Sequence, residues 1–133
     1  MTAVHDALVH AMILVAGSDR DITNAELRRI GDLTAHLPAF RHFDRKTLVA
    51  SAKRCAAIVN GKGGLEAALN SVARATPPRL RETAYALACE VAAADGKLEQ
   101  EELRLLEMIR DELEVDRLHA AAIERGARAR FAR

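Results

Sequence analysis

The stretch "VAAADGKLEQEEL", Val91 to Leu103, decides how the rest of the chain is read. An Asp-Gly pair, Asp95-Gly96, breaks an alanine-rich run, and a cluster of glutamates follows. Gly96 is free to take the positive φ that a tight turn asks for. The glutamates beyond it suit the positive end of a new helix, each by about 0.3–1 kcal/mol. The stretch therefore predicts two helices joined by a short turn. It also sets carboxylates close together, which raises a second reading: half of a metal site.

A degraded copy, "SDRDITNAEL" (Ser18–Leu27), precedes "ADGKLEQEEL" (Ala94–Leu103) by 76 residues. At that offset Asp19 aligns with Asp95, Ile22 with Leu98, Glu26 with Glu102 and Arg28 with Arg104. The flanking helices agree as well. Val4, Leu8, Ala11 and Val15 match Leu80, Ala84, Leu87 and Val91. Leu27, Ile30, Leu33 and Leu37 match Leu103, Leu106, Ile109 and Leu113. Both sets have the three-and-four spacing of a buried helix face. A weaker echo, Asp44-Arg45 and Asp116-Arg117, follows at an offset of 72. Three-helix units of this kind each expose an apolar face, so they are expected to pack on each other.

Composition agrees with an all-α fold. The 133 residues are half apolar, with no Trp, one Tyr and three Phe. Ala, Leu, Arg and Glu, which lose little freedom in a helix, dominate. No alternating run predicts a strand. About seven helices are expected: Thr2 to Ala16, Asn24 to Leu37, one capped by Asp44 and ended at Gly61, and a short one from Leu65 to Ala75. A fifth runs from near Pro78 to Ala94, a sixth from Gln100 to Leu113, and a seventh starts at Asp116 and decays into "ERGARARFAR". The chain reads as one domain over residues 1–133. Its first repeat covers about residues 4–60 and its second about 80–126, with the short helix between them.

Net charge is +1, which argues against a nucleic-acid-binding or membrane-surface protein overall. The charge is unevenly spread. Residues 95–116 hold nine acidic and three basic residues, a net of −6 that leaves +7 for the rest. Cys55 and Cys89 lie in alanine-rich helical runs outside any Cys-x-x-Cys motif, so buried, inert thiols are expected. No signal peptide or membrane span is expected at the N-terminus, where Asp6 and His10 interrupt the apolar run. A cytoplasmic location follows by default.

The acidic loops have a sufficient account without a ligand. Thr23-x-x-Glu26 is a capping box, and Glu99-x-x-Glu102 imitates it with a carboxylate at the cap. The metal account starts from the calcium loop of the EF-hand, with Gly at position 6, an aliphatic residue at 8 and Glu at 12. Gly96, Leu98 and Glu102 fall at those spacings, but positions 1 and 3 are Val91 and Ala93, which cannot ligate. The first copy has Val15 and Gly17 there, and Arg20 in place of the glycine. Neither loop is an EF-hand. Asp19, Asp21 and Glu26, or Asp95 and Glu102 with Glu99 nearby, predict weak binding of a divalent cation (Ca, Mg or Zn). The dissociation constant would be on the order of 10⁻⁴–10⁻³ M. Only a fold that joins the two loops would do better.

At this point the residues resemble a family. "EVAAADGKLEQEEL", with its partner "MILVAGSDRDITNAEL", is similar to the TerB-like tellurite-resistance family over roughly residues 4–116. The second copy carries the resemblance through Asp95, Gly96, Leu98 and Glu102; the first keeps Asp19, Ile22 and Glu26 but has Arg20 for glycine. The resemblance implies an all-helical cytoplasmic domain without enzymatic activity. It implies roles in tellurite and chemical-stress resistance, metal binding or sensing, and a protein partner in complexes near the bacterial membrane. A similar domain stands beside J-domains in membrane-anchored co-chaperones, but this chain has no His-Pro-Asp.

Other signals are weak. His5, His10, His36, His42 and His119 make no paired metal-ligand spacing and read as surface or boundary residues. No serine sits in Gly-x-Ser-x-Gly, and "GKGG" (Gly61–Gly64) lacks the Lys-Ser or Lys-Thr of a phosphate loop. No carboxylate pair is placed as acid and base, so an enzyme is not expected. Arg41, Arg45, Lys46, Lys53 and Arg54 form one basic cluster. Arg125, Arg128, Arg130 and Arg133 form a basic tail around Phe131, read either as a solvated end or as a contact for an acidic partner or anionic headgroups. Two functions stand: a weak divalent-cation-binding stress-response module, or an interaction domain whose acidic loops only cap helices.

Overall fold

A computed structural model describes residues 2–17, 22–96 and 99–133, with Asp95 described in its backbone alone. Among these residues there are seven α-helices and no strand. They are α1 (Ala3–Gly17), α2 (Asn24–Thr34), α3 (Leu48–Val59), α4 (Gly64–Ala75), α5 (Arg81–Asp95), α6 (Gln100–Glu112) and α7 (Arg117–Arg130). The all-α expectation holds.

The caps explain most boundaries. Thr23 accepts from the Glu26 amide at 3.1 Å while Glu26 Oε1 accepts from the Thr23 amide at 2.9 Å, so the predicted capping box starts α2. Asp44 and Asp116 play matching parts. Asp44 accepts from the Lys46 amide and starts a 3₁₀ turn, Arg45–Thr47, that leads into α3. Asp116 accepts from the Leu118 and His119 amides and starts α7. Pro78 opens a 3₁₀ turn, Pro78–Leu80, whose fixed φ feeds α5.

Three expectations need correction. Helix α2 stops at Thr34, three residues short of Leu37, because Thr34 Oγ1 turns back onto the Gly31 carbonyl and Pro38 follows. Glu99 makes no side-chain cap bond to α6; its extra methylene fits the N-cap geometry less well than Asp or Ser. The seventh helix does not decay after Glu124. It continues to Arg130, held by Arg130 Nη1 to Glu90 at 3.1 Å and by buried Ala127.

One hydrophobic core joins the helices. Helix α1 lies at its centre, packed against α3, α4 and α5, and α5 also carries α7 and α6. The stripe predicted for α1 is buried at Leu8, Ala11 and Val15, but so are Val9, Met12, Ile13 and Leu14 on its other faces. On α5, Ala84, Ala88 and Ala92 recur every fourth residue and are all buried. Their small side chains let a neighbouring backbone approach closely.

Inside this core His5 and His10 are buried, against the surface or boundary position expected of them. Their ring nitrogens are satisfied locally. His5 Nε2 lies 3.0 Å from the Ala39 carbonyl, with the ring stacked on Phe40 and edge-on to Phe43. His10 Nε2 lies 3.0 Å from the Ser51 carbonyl. Burial pushes the His10 pKa below its ordinary 6.5, against the opposing pull of Asp6. The unfolded chain then takes up a proton below about pH 6.5 that the folded protein resists. Stability should be full well above that pH and fall as pH drops through it toward 5. Urea midpoints across this range should show the slope, and His10→Gln should flatten it. The Asp6 carboxyl, with an ordinary value of 3.8 and a lowered one here, enters only further down.

Candidate functional site

Residues that bound the two acidic loops, Gly17 and Glu26 on one side and Val91 and Glu99 on the other, line one groove. It has a volume of about 830 Å³ and runs between one face of α2 and one face of α6. On α2 the lining residues are Glu26, Arg29 and Ile30; on α6 they include Glu101, Glu102, Arg104, Leu105 and Met108. Each set has helical spacing. Three pairs of lining residues are related by the offset of 76: Val15 with Val91, Glu26 with Glu102, and Arg29 with Leu105.

Two further grooves flank it and are related in the same register. One, of about 380 Å³, is lined by Ile13, Gly17 and Leu27 and by Ala52, Cys55, Ala56, Val59 and Asn60 of the third helix and its end. The other, of about 470 Å³, is lined by Cys89, Ala93 and Leu103 and by Glu124, Ala127, Arg128, Phe131 and Ala132. The first three of each set differ by 76, and the remaining five differ by 72.

Of the candidate ligands, Glu26 and Glu102 come to the same groove, with Glu99 and Glu101 beside them. Glu26 already gives one oxygen to its capping box. Asp19 and Asp21 lie outside the described residues, as does the Asp95 side chain. Among the described residues no three His, Cys, Asp or Glu groups are close enough together to hold a metal ion. Gly96 has φ +76°, as the Asp-Gly pair requires, and the Arg133 guanidinium lies against it. Gly96→Ala should cost about 1–2 kcal/mol through the left-handed backbone, and a thermal melt would register the loss.

The two cysteines are buried, inert thiols. Burial raises both thiols to about 12, so they stay protonated. In the basic clusters, Arg45 pairs with Asp32 at 3.1 Å, Arg54 with Asp6 at 2.7 Å and Arg130 with Glu90 at 3.1 Å. The tail is thus partly committed within the fold. Residue-type motifs gave no hint of the Asp6–Ser51–Arg54–His10 cluster that ties α1 to α3. The signal was present as Asp6 and His10, one turn apart in an otherwise apolar helix.

Seven α-helices packed on one core, with no strand among the described residues, define a small all-helical domain. The family model described as tellurite resistance protein TerB matches residues 5–125, and the chain belongs to that family. No curated protein and no solved structure matches it. No helix among the described residues is long and apolar enough to cross a membrane.

Proposed function

We propose that this TerB-family chain is one domain built from two copies of a three-helix unit, and that it is a non-enzymatic cytoplasmic module of the tellurite and chemical-stress response. Its ligand on this reading is a divalent cation, bound weakly by Asp95 and Glu102 together with Asp19, Asp21 and Glu26. The observation that supports it is the placement of Glu26 and Glu102, 76 residues apart in sequence, on the same groove. Calorimetric titration with calcium, magnesium and zinc tests the reading. Dissociation constants on the order of 10⁻⁴–10⁻³ M are expected, and Asp95→Ala should abolish the heats. Heats that survive Asp95→Ala unchanged count against it.

A second reading is favoured by the capping box, which gives Glu26 a structural task of its own. On that reading the domain binds a protein partner, as in a membrane-associated complex, and the loops only shape helical hairpins. Asp95→Ala and Glu102→Ala would then lower the melting temperature and leave no ligand response to remove.

A further inference from the structure

We propose that the groove between α2 and α6 docks a basic amphipathic helix of a protein partner. The three grooves differ in what they offer. Among the described residues, the 380 Å³ groove has Lys53 as its one charged lining residue, and the 470 Å³ groove has Glu107 and Glu124 balanced by Arg110 and Arg128. The central groove is the largest of the three, and among the described residues its four glutamates outnumber two arginines. Arg104 is itself drawn to Glu107 at 3.2 Å. Glu99 and Glu101 are exposed, and their side chains make no hydrogen bond or ion pair among the described residues.

The backbone adds to the same field. The last turn of α1 (Val15, Ala16, Gly17) lines the groove, and its carbonyl end carries the negative pole of the helix dipole. The floor is apolar, with Leu65 and Met108 half-buried and Leu105 beneath. Helices α2 and α6 each pack on α1, which leaves the channel open between them. An apolar floor inside an acidic rim matches a helix with one leucine face flanked by lysine or arginine. An anionic lipid surface would be repelled. A bare cation would make no use of Leu65 and Met108.

The inference does not depend on cation binding, and its test is run in excess chelator so that the two fail separately. The probe is a fluorescent synthetic Leu/Lys amphipathic helix of about four turns, followed by anisotropy at low salt. Binding with a dissociation constant on the order of 10 μM is expected. A Leu/Glu helix should not bind, and a Ser/Lys peptide of equal charge should bind at least about tenfold more weakly for want of its apolar face. The double variant Glu99→Lys/Glu101→Lys, at exposed positions, should melt a few degrees below the parent through the reversed charge at the α6 N-terminus, stay folded at the assay temperature, and bind at least about tenfold more weakly. Lys53→Glu, in the 380 Å³ groove, should leave binding unchanged. Amide chemical shifts should move along α2 and α6. Absent binding, equal binding of the charge-reversed variant, equal binding of the Ser/Lys peptide, or shifts confined to the flanking grooves would each overturn the proposal.

Discussion

Leu8→Ala should destabilise the protein by about 3–4 kcal/mol, since truncating a buried leucine loses its transfer energy and leaves a cavity. For a chain of this size the melting temperature should drop by roughly 10–15 °C. Leu8 is 0% exposed on the central helix, which packs along α5 and against α3 and α4. Neighbours on several helices cannot all move into the space at once, so the cavity should persist. Position 84, its counterpart at the offset of 76, already holds alanine, also fully buried. A leucine at one position and an alanine at the other suit two helices that approach closely, and putting alanine at both removes volume without replacement. Leu118→Ala is the control. Leu118 is 77% exposed, and its truncation should stay within about 0.5 kcal/mol of the parent. Paired urea denaturation of the two variants checks both figures.

The contrast marks what the sequence could and could not reveal. Helix positions followed from periodicity and caps, because Thr23, Asp44 and Asp116 announce helix starts chemically. The centrality of α1 was also legible in principle. Val9, Met12, Ile13 and Leu14 make that helix apolar all round, which is the mark of a helix buried on every side. The offset of 76 does not bring them out, since their counterparts Tyr85, Ala88, Cys89 and Glu90 are of other types. Equivalent positions also diverge in burial. Leu27 is 8% exposed and Leu103 is 39% exposed, although they stand 76 residues apart at matching positions of α2 and α6. Burial depends on how neighbouring helices settle on each face, and periodicity within one helix carries no information on that. For the site, the offset predicted which residues correspond, and Glu26 and Glu102 do share a groove. That α2 and α6 stand apart, with Leu65 of α4 beneath them, depends on packing between units and left no mark in either loop.

Asp6→Ala should cost about 2–3 kcal/mol, chiefly by orphaning a buried hydroxyl. Ser51 is 0% exposed, and its Oγ donates to Asp6 Oδ1 at 2.5 Å. Arg54 donates to both carboxylate oxygens, through Nη2 at 2.7 Å and Nε at 3.1 Å, and His10 Nε2 lies 3.5 Å away. Burial alone would raise the Asp6 pKa. The hydrogen bonds from Arg54 and Ser51 outweigh it, and the carboxyl ends up below its ordinary value. The carboxylate therefore holds α1 to α3 by accepting from two side chains of α3 at once. Alanine removes the acceptor and leaves the Ser51 hydroxyl, itself shielded from solvent, without its bond. Asn keeps an acceptor oxygen for Ser51 while losing the charge, so Asp6→Asn should fall between alanine and the parent. Arg54→Ala should cost at most about 1 kcal/mol, because the arginine side chain is half-exposed and its attraction is screened by solvent. Ser51→Ala removes the donor along with its need for a partner, so it should cost less than Asp6→Ala. Measured by urea denaturation at neutral pH, the order of loss should be Asp6→Ala, then Asp6→Asn, then Arg54→Ala. An Arg54→Ala loss as large as that of Asp6→Ala would show that the ion pair, and not the buried hydroxyl, holds the two helices.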